Sequence, residues 1–310
     1  MKYIFTSVFI CFTFLNLFGQ DFQFLQGHLS PLNLNPALTG EEFNGRLISN
    51  YQYSWASFLQ VANVHAGDFS YDRGIKLKNN DQIGLGVKTL GNFTTGNSFR
   101  HFLGSLSVSY QKNIANQSFS VGLEAGAAHL QELGLTWERP RFSPVLREGL
   151  FADIALGASY IGKFDFFKKV QLGAAVHHLN RADLSPDPNV ENRLYRRWTF
   201  HALTEMQIND RILLQPRFFI NAQGPSLELV YGADVRYLVR QTNPFSIGFG
   251  AQMNHSNRHL ESLNNSSLVF ITGIYFEKFG FTISRSWNAS DLQSASDPTS
   301  AVEGSLIYKF

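Results

Sequence analysis

The chain has 310 residues and a formal net charge of +2, with 26 Lys and Arg against 24 Asp and Glu. Charged residues make up 16% and aromatics 14%, with 29 Phe and 25 Gly, whereas soluble domains carry about 25% charge. This composition points to a β-rich protein with an apolar exterior; its near-neutral balance gives no electrostatic case for nucleic acid, and a mean hydropathy of -0.12 argues against a polytopic helical membrane protein.

The first element is a targeting signal. Lys2 is the sole charge of residues 1–20, and the apolar run "YIFTSVFICFTFLNLF" follows it, a pattern of signal-peptide type. Cleavage is expected near Gly19–Gln20, which removes residues 1–19; the polar exit "GQDFQ" disfavours a retained anchor. The single cysteine, Cys11, falls inside the signal and precedes Phe12 without a lipobox. The mature chain therefore has no thiol, which excludes disulfides, Cys-ligated zinc and Cys nucleophiles.

Residues 20–43 form a periplasmic lead-in. Its core, "LSPLNLNPALTG" (29–40), has neither a helical nor an alternating period. The prolines fix the backbone, and Asn and Gly permit tight turns. Two prolines and four leucines predict an ordered segment, lining the periplasmic mouth or tucked into a lumen.

From residue 44 to 310 the chain alternates. In "FSIGFGAQMN" (245–254), Phe245, Ile247, Phe249, Ala251 and Met253 share one face, and Ser246, Gly248, Gly250, Gln252 and Asn254 the other. Successive strand side chains point to opposite faces, so these are two-faced strands. Fourteen are predicted: roughly 44–56, 62–73, 82–90, 99–112, 117–132, 150–162, 168–180, 195–208, 211–221, 226–240, 244–254, 266–277, 279–287 and 302–310. Many run to ten residues or more, the length that crosses a bilayer at a tilt. Backbone in lipid must be fully paired, so such strands close into a barrel. The expected fold is an all-β transmembrane antiparallel up-and-down β-barrel.

The connections test this. With the N-terminus periplasmic, short turns fall at 74–81, 113–116, 163–167, 209–210, 241–243 and near Lys278. Most of the other connections, among them 133–149, 181–194, 255–265 and 288–301, are longer and rich in Pro, Asn, Ser and charge, with the first outer loop, near Ser57–Val61, a short exception. Long loops outside and short turns inside are the outer-membrane pattern. Pro216 interrupts "ILLQPRFFI" and removes a ladder donor, predicting a bulge or an unusual strand end. The final "AVEGSLIYKF" is an amphipathic strand ending in Phe, as outer-membrane barrels end.

Signatures of chemistry are sparse. "GLGVKTLG" (84–91) has alternating glycines of the barrel-interior kind, not a phosphate loop, and GxSxG is absent. His177 and His178 are adjacent, so on a strand they face opposite ways. "HSNRH" (255–259) has two histidines four apart without an obvious third ligand, so no metal or cofactor is expected. An outer-membrane hydrolase needs a Ser–His pair; Ser109 and His201 lie on plausible inward faces, but nothing pairs them. The inward Glu124, Asp153, Glu205, Glu228 and Asp234 read, with Arg217, Arg236 and Lys88, as a charge network filling a narrow lumen. Its core is Glu228, Asp234, Arg236 and Arg217. Arg139, Arg141 and Arg147 in "ERPRFSPVLRE" (138–148), and Arg193, Arg196 and Arg197 in "NRLYRRW" (192–198), are candidate partner-binding loop residues, since Arg and aromatics are enriched at hot spots.

Residues 21–55, "DFQFLQGHLSPLNLNPALTGEEFNGRLISNYQYSW", resemble the start of the PorP/SprF family of outer-membrane proteins associated with type IX secretion in Bacteroidota. The core of the resemblance is Asn35, Pro36, Ala37 and Gly40, followed by Arg46 and Trp55. Residues 184–237 are similar to the family's middle region, which includes a proline-bearing strand. "AVEGSLIYKF" resembles its end, with Val302–Glu303 in place of the usual His-Glu, and Leu38 stands where an aromatic is common. The resemblance implies residence in the bacterial outer membrane. It also implies a non-enzymatic role in secretion or surface attachment of cargo proteins, gliding adhesins among them, with machine components and a secreted cargo as partners. A channel for a small or apolar solute and an outer-membrane hydrolase are the alternatives; a plugged lumen favours docking and an open one the channel.

Overall fold

The structure, a computed structural model, describes residues 21–310 except 56–62, 97, 139–140, 185–192, 241, 243, 258–264 and 290–299; for 134–138, 141–147, 265 and 288 it describes the backbone alone. Fourteen strands alternate along the chain: β1 (Arg46–Trp55), β2 (Val64–Lys76), β3 (Gln82–Thr94), β4 (Phe99–Ile114), β5 (Gln117–Glu138), β6 (Arg141–Gly162), β7 (Phe167–His177), β8 (Arg197–Asn209), β9 (Ile212–Gln223), β10 (Ser226–Arg240), β11 (Phe245–Asn257), β12 (Asn265–Phe276), β13 (Phe279–Asn288) and β14 (Ser300–Lys309). Each pairs with its sequence neighbours, and β1 pairs with β14 from Arg46↔Lys309 to Trp55↔Ser300. The sheet is a closed antiparallel barrel, the form in which spanning strands satisfy one another's backbone in lipid.

Period-two alternation sorts the side chains. The outward face carries Leu106, Val121, Leu150, Phe249 and Phe270, all exposed, as a lipid-facing wall requires. The inward face carries Ser105, Ser107 and Ser109 on β4, Thr282, Ser284 and Ser286 on β13, and Glu303 and Ser305 on β14, all buried. Phe310 packs edge-on against Tyr71 and Tyr308 at the end of the closing strand.

Three local expectations are corrected. Residues 133–149, read as a loop, are mostly the distal part of the β5–β6 hairpin, paired out to Glu138↔Arg141. Each of these strands has 22 residues; at about 3.3 Å per residue the hairpin extends well beyond a bilayer core. Pro216 lies within β9 in unbroken register with Ala233 of β10, not at a bulge. Its missing donor falls on the β8 side, where pairing lapses between Leu203↔Arg217 and Met206↔Leu214. His177 and His178 do not diverge: β7 ends at His177 and His178 takes a left-handed φ of 57°, so both rings are buried.

Candidate functional site

The lumen is occupied by the chain itself. Residues 21–45 run from the loop end of the barrel, where Asp21 meets β8 and β9, to the turn end, where Gly45 leads into β1. The segment is a series of tight turns: a 3-10 turn at Gly27–Leu29, one α-helical turn α1 (Pro31–Leu34) and a second 3-10 turn at Pro36–Leu38. Such a backbone leaves donors and acceptors unmatched, and each needs a partner when buried. The polar inner wall supplies them.

At the loop end, Asp21 N donates to Gln223 Oε1 at 2.9 Å, and the Asp21 carboxylate meets Arg197 Nη1 at 2.8 Å and His178 Nε2 at 2.7 Å. Asp153 holds the other side of the His178 ring at 2.9 Å. Burial by itself would lower the His178 pKa, but Asp21 and the bond to Asp153 outweigh it and raise it to about 9. Burial would raise Asp21, yet the charges of His178 and Arg197 hold it well below the usual carboxylate range.

One turn deeper, Glu303 accepts from Leu25 N at 2.6 Å and Gln26 N at 3.1 Å, and Gln252 donates to Leu25 O at 2.6 Å. Asp68 accepts from Asn33 Nδ2 at 2.8 Å and from Ser30 Oγ. Lys88 donates to Leu32 O at 3.1 Å and pairs with Glu124 at 2.8 Å. Arg197 donates to Asn33 O at 2.9 Å.

The Asn35–Gly40 motif seats the middle of this plug. Asn35 Oδ1 accepts from Ala37 N at 2.9 Å, capping the second 3-10 turn. Its Nδ2 donates to Ala158 O at 2.9 Å and Ala174 O at 3.3 Å and meets His201 Nε2 at 3.1 Å. Gly40, at φ 71°, donates to Asp72 at 2.6 Å, and Arg46 bridges Asp72 to Leu38 O, 2.8 Å from each. The wall is cut away to admit this backbone. A Cβ on Gly84 would strike Thr39 O, one on Gly122 would strike Pro36 O, and one on Gly157 would strike the Asn35 side chain.

Apolar plug residues meet the few apolar inward positions. Phe24 packs with Ala66, Leu90, Leu103 and Ala128. Leu25 packs with Val269, Ile271 and Ala301, and Leu34 and Leu38 with Phe219 and Val230. Burying a Leu or Phe side chain is worth about 1.5–3 kcal/mol.

Two vestibules flank the plug. The outer one, about 440 Å³, is lined by Ser54, Asn92, Ser226 and Ser286 together with Asp21, Arg197 and Glu228, among others. The periplasmic one, about 290 Å³, is lined by Glu41, Arg46, Lys169, Arg217, Asp234 and Arg236, among others. There Glu41 pairs with Lys169 and Arg46. Burial would raise the Glu41 pKa, but Lys169 and Arg46 bring it to about 2.

The expected charge network is assembled in part. Arg217 clasps Asp234 at 2.6 and 2.7 Å and donates to Gln252 at 2.9 Å. The Arg236 guanidinium carbon lies 3.7 Å from the Tyr275 ring centre. Glu228 stands apart, accepting from Asn221 at 2.9 Å on the outer side. The candidate docking arginines separate. Arg197 is buried and holds the plug through both Nη atoms, a correction to its reading as a loop residue, because it opens β8 with its side chain inward. Arg196 donates to Leu179 O at 3.3 Å, and Arg193 bridges Asp183. Arg141 and Arg147 belong to the β6 extension, opposite Glu138 and Glu132. Arg139 and His259 lie outside the described residues, as do residues 1–19. His255 meets Tyr231 Oη at 3.1 Å and Ser266 Oγ at 2.7 Å. Ser109 donates to Thr39 O at 2.6 Å, while His201 faces Asn35, so the two do not form a catalytic pair.

Sequence reasoning missed Glu303, Asp68 and Asp72 as plug-binding residues. The signal was present: Asp68 and Asp72 on β2 and Glu303 on β14 fall at inward positions of the alternation.

Residues 16–308 match the family model described as type IX secretion system membrane protein PorP/SprF. No curated protein matches the sequence. Among solved structures, a FadL homologue from Pseudomonas aeruginosa aligns at a TM-score of 0.52 and 12% identity, over 86% of this chain and 90% of that one. The β domain of the Bordetella autotransporter BrkA aligns at 0.45 and 9% identity, over 86% and 100%. The first of these likenesses concerns the barrel fold alone.

Proposed function

The chain belongs to the PorP/SprF family of type IX secretion system membrane proteins, and from that premise we propose that this outer-membrane barrel works by docking. The barrel anchors. Its periplasmic turns and vestibule meet machine components, and its outer loops, with the long β5–β6 hairpin, hold the C-terminal domain of an exported cargo. Arg193 and Arg196 near the outer end, Arg141 and Arg147 of β6, and Arg139 are the proposed cargo-binding residues. Gliding adhesins are among the cargoes that family membership suggests.

The observation that carries this reading is the occupied lumen. The plug is bonded to the wall along its length, from Asp21 to Gly40, which supports a docking platform over a solute conduit. The role is non-enzymatic, and the residues of the Asn35–Gly40 motif act by seating the plug.

The test is affinity purification of the tagged protein from outer membranes in mild detergent, with mass spectrometry of what accompanies it. Recovery of type IX components or of one large secreted protein is the expected result. A barrel recovered alone, with cargo export and display unchanged in a deletion strain, defeats the reading.

A further inference from the structure

The periplasmic vestibule has one wall whose hydrogen-bond donors are not all used. Arg217 is spent: its three nitrogens go to Asp234, Gln252 and His28. Asp234 is thereby clasped on both oxygens. Arg236, two residues along the same face of β10, stacks on Tyr275 and has no carboxylate within 4.0 Å among the described residues. Its Nε is buried without a partner. Among the other basic groups of the vestibule, Arg46 pairs with Asp72 and Glu41, Lys169 with Glu41, and Lys309 with Glu42, while Lys278 lies in the turn at its mouth.

His28 adds a second unmet donor. Burial first, and the Arg217 charge next, push its pKa down to about 3, so the ring is neutral. Its Nε2 lies 3.3 Å from Arg217 Nη1. A guanidinium has no lone pair to offer, so Nε2 is the acceptor and the proton sits on Nδ1. That Nδ1 is buried without a partner. His28, from the plug, and Arg236, from β10, both line the vestibule, and the half-buried Arg236 guanidinium, a cation without a carboxylate, can take an anionic acceptor there. Leu34, Leu38 and Leu203 line the same vestibule, with Glu205 and Glu277 among its polar groups, so an acceptor carried on an aliphatic stem suits its mixed lining.

We propose that the vestibule receives a Glu or Asp side chain from a periplasmic protein segment, its carboxylate pairing with Arg236 and approaching His28. This deepens the docking reading and rests on it. It names the chemistry of the periplasmic partner: a protruding acidic side chain among small or apolar neighbours. The plug forms the floor, so the segment enters from the turn end and stops there.

The test is photocrosslinking in whole cells, with a photoreactive amino acid replacing Gln215, which lines the vestibule. It is done with native Arg236, with Arg236→Gln and with Arg236→Lys. Retention of the compact, heat-modifiable form on gels shows that each variant is folded. The expected result is an adduct with one periplasmic protein, at least fivefold weaker in Arg236→Gln and largely kept in Arg236→Lys. An adduct of equal yield in all three overturns the proposal. So does the absence of any adduct when the tagged barrel still brings down type IX components, an outcome that spares the docking reading. Absence of both adduct and co-purified components removes the two together.

Discussion

Asp21 is held by the His178 imidazole, which titrates, and by the Arg197 guanidinium, which stays charged, so the outer end of the plug responds to pH. The His178 pKa is raised, so its contribution is complete below its ordinary value near 6.5 and is lost as pH climbs through about 9. Asp21 is depressed, so its contribution is present above 3.8 and is lost as pH falls through its lowered value. Anchoring of residues 21–26 is therefore firmest from about pH 4 to about 6.5 and loosens above 9. Hydrogen exchange of those amides should accelerate in the alkaline limb by more than the intrinsic rate increase. His178→Gln should flatten that limb; an unchanged alkaline limb in the variant would assign the loosening elsewhere. At this scale the sequence was partly legible. The motif residues Asn35, Pro36, Ala37 and Gly40 drew notice, and the structure places each against the wall. Arg197 and His178 were misread because a strand terminus, with His178 at positive φ, breaks the alternation that decides which way a side chain points.

The strands were legible to within a few residues at most ends because alternation is a local property, set by the pleat of each strand. The β5–β6 hairpin was the exception: its distal half is charged and carries Pro144, so it reads as loop, yet its backbone pairs strand to strand. Those residues pair only with each other, since β4 leaves β5 at Glu132 and β6 meets β7 only from Leu156. Replacing 134–146 with a two-residue Asn-Gly turn should leave the barrel folded and heat-modifiable, with thermal midpoint nearly unchanged. A collapse of the midpoint would show that the hairpin supports the barrel. The inward glycines behave differently. Gly122→Val places a branched side chain where Pro36 O sits, and overpacking of this kind costs about 1–3 kcal/mol or more. The β-branched residue suits a strand, so the barrel should persist while residues 31–40 become open to protease. Equal protease resistance in Gly122→Val and the native protein would mean that the plug adapts.

For the molecule as a whole, the plug decides whether the barrel conducts. In planar bilayers the intact protein should show little ion conductance, and deletion of residues 22–40 should open a steady pore. High conductance in the intact protein would favour the solute channel over docking. Fourteen strands, their order and their sidedness follow from the sequence by itself, because period-two alternation and connection length are local quantities and closure is forced by the absence of water to pair an exposed strand edge in lipid. What fills the lumen is decided only in the tertiary structure. The inward carboxylates, amides and glycines come from strands far apart in the chain, and their common partner is one irregular segment whose backbone must be satisfied once buried. Glu303 meets Leu25 across 278 positions, and Gln252 meets it across 227. No window of sequence contains both ends of such a bond. The same composition that marks an inward face as polar is compatible with a water-filled channel or with a polypeptide bound group by group to its wall.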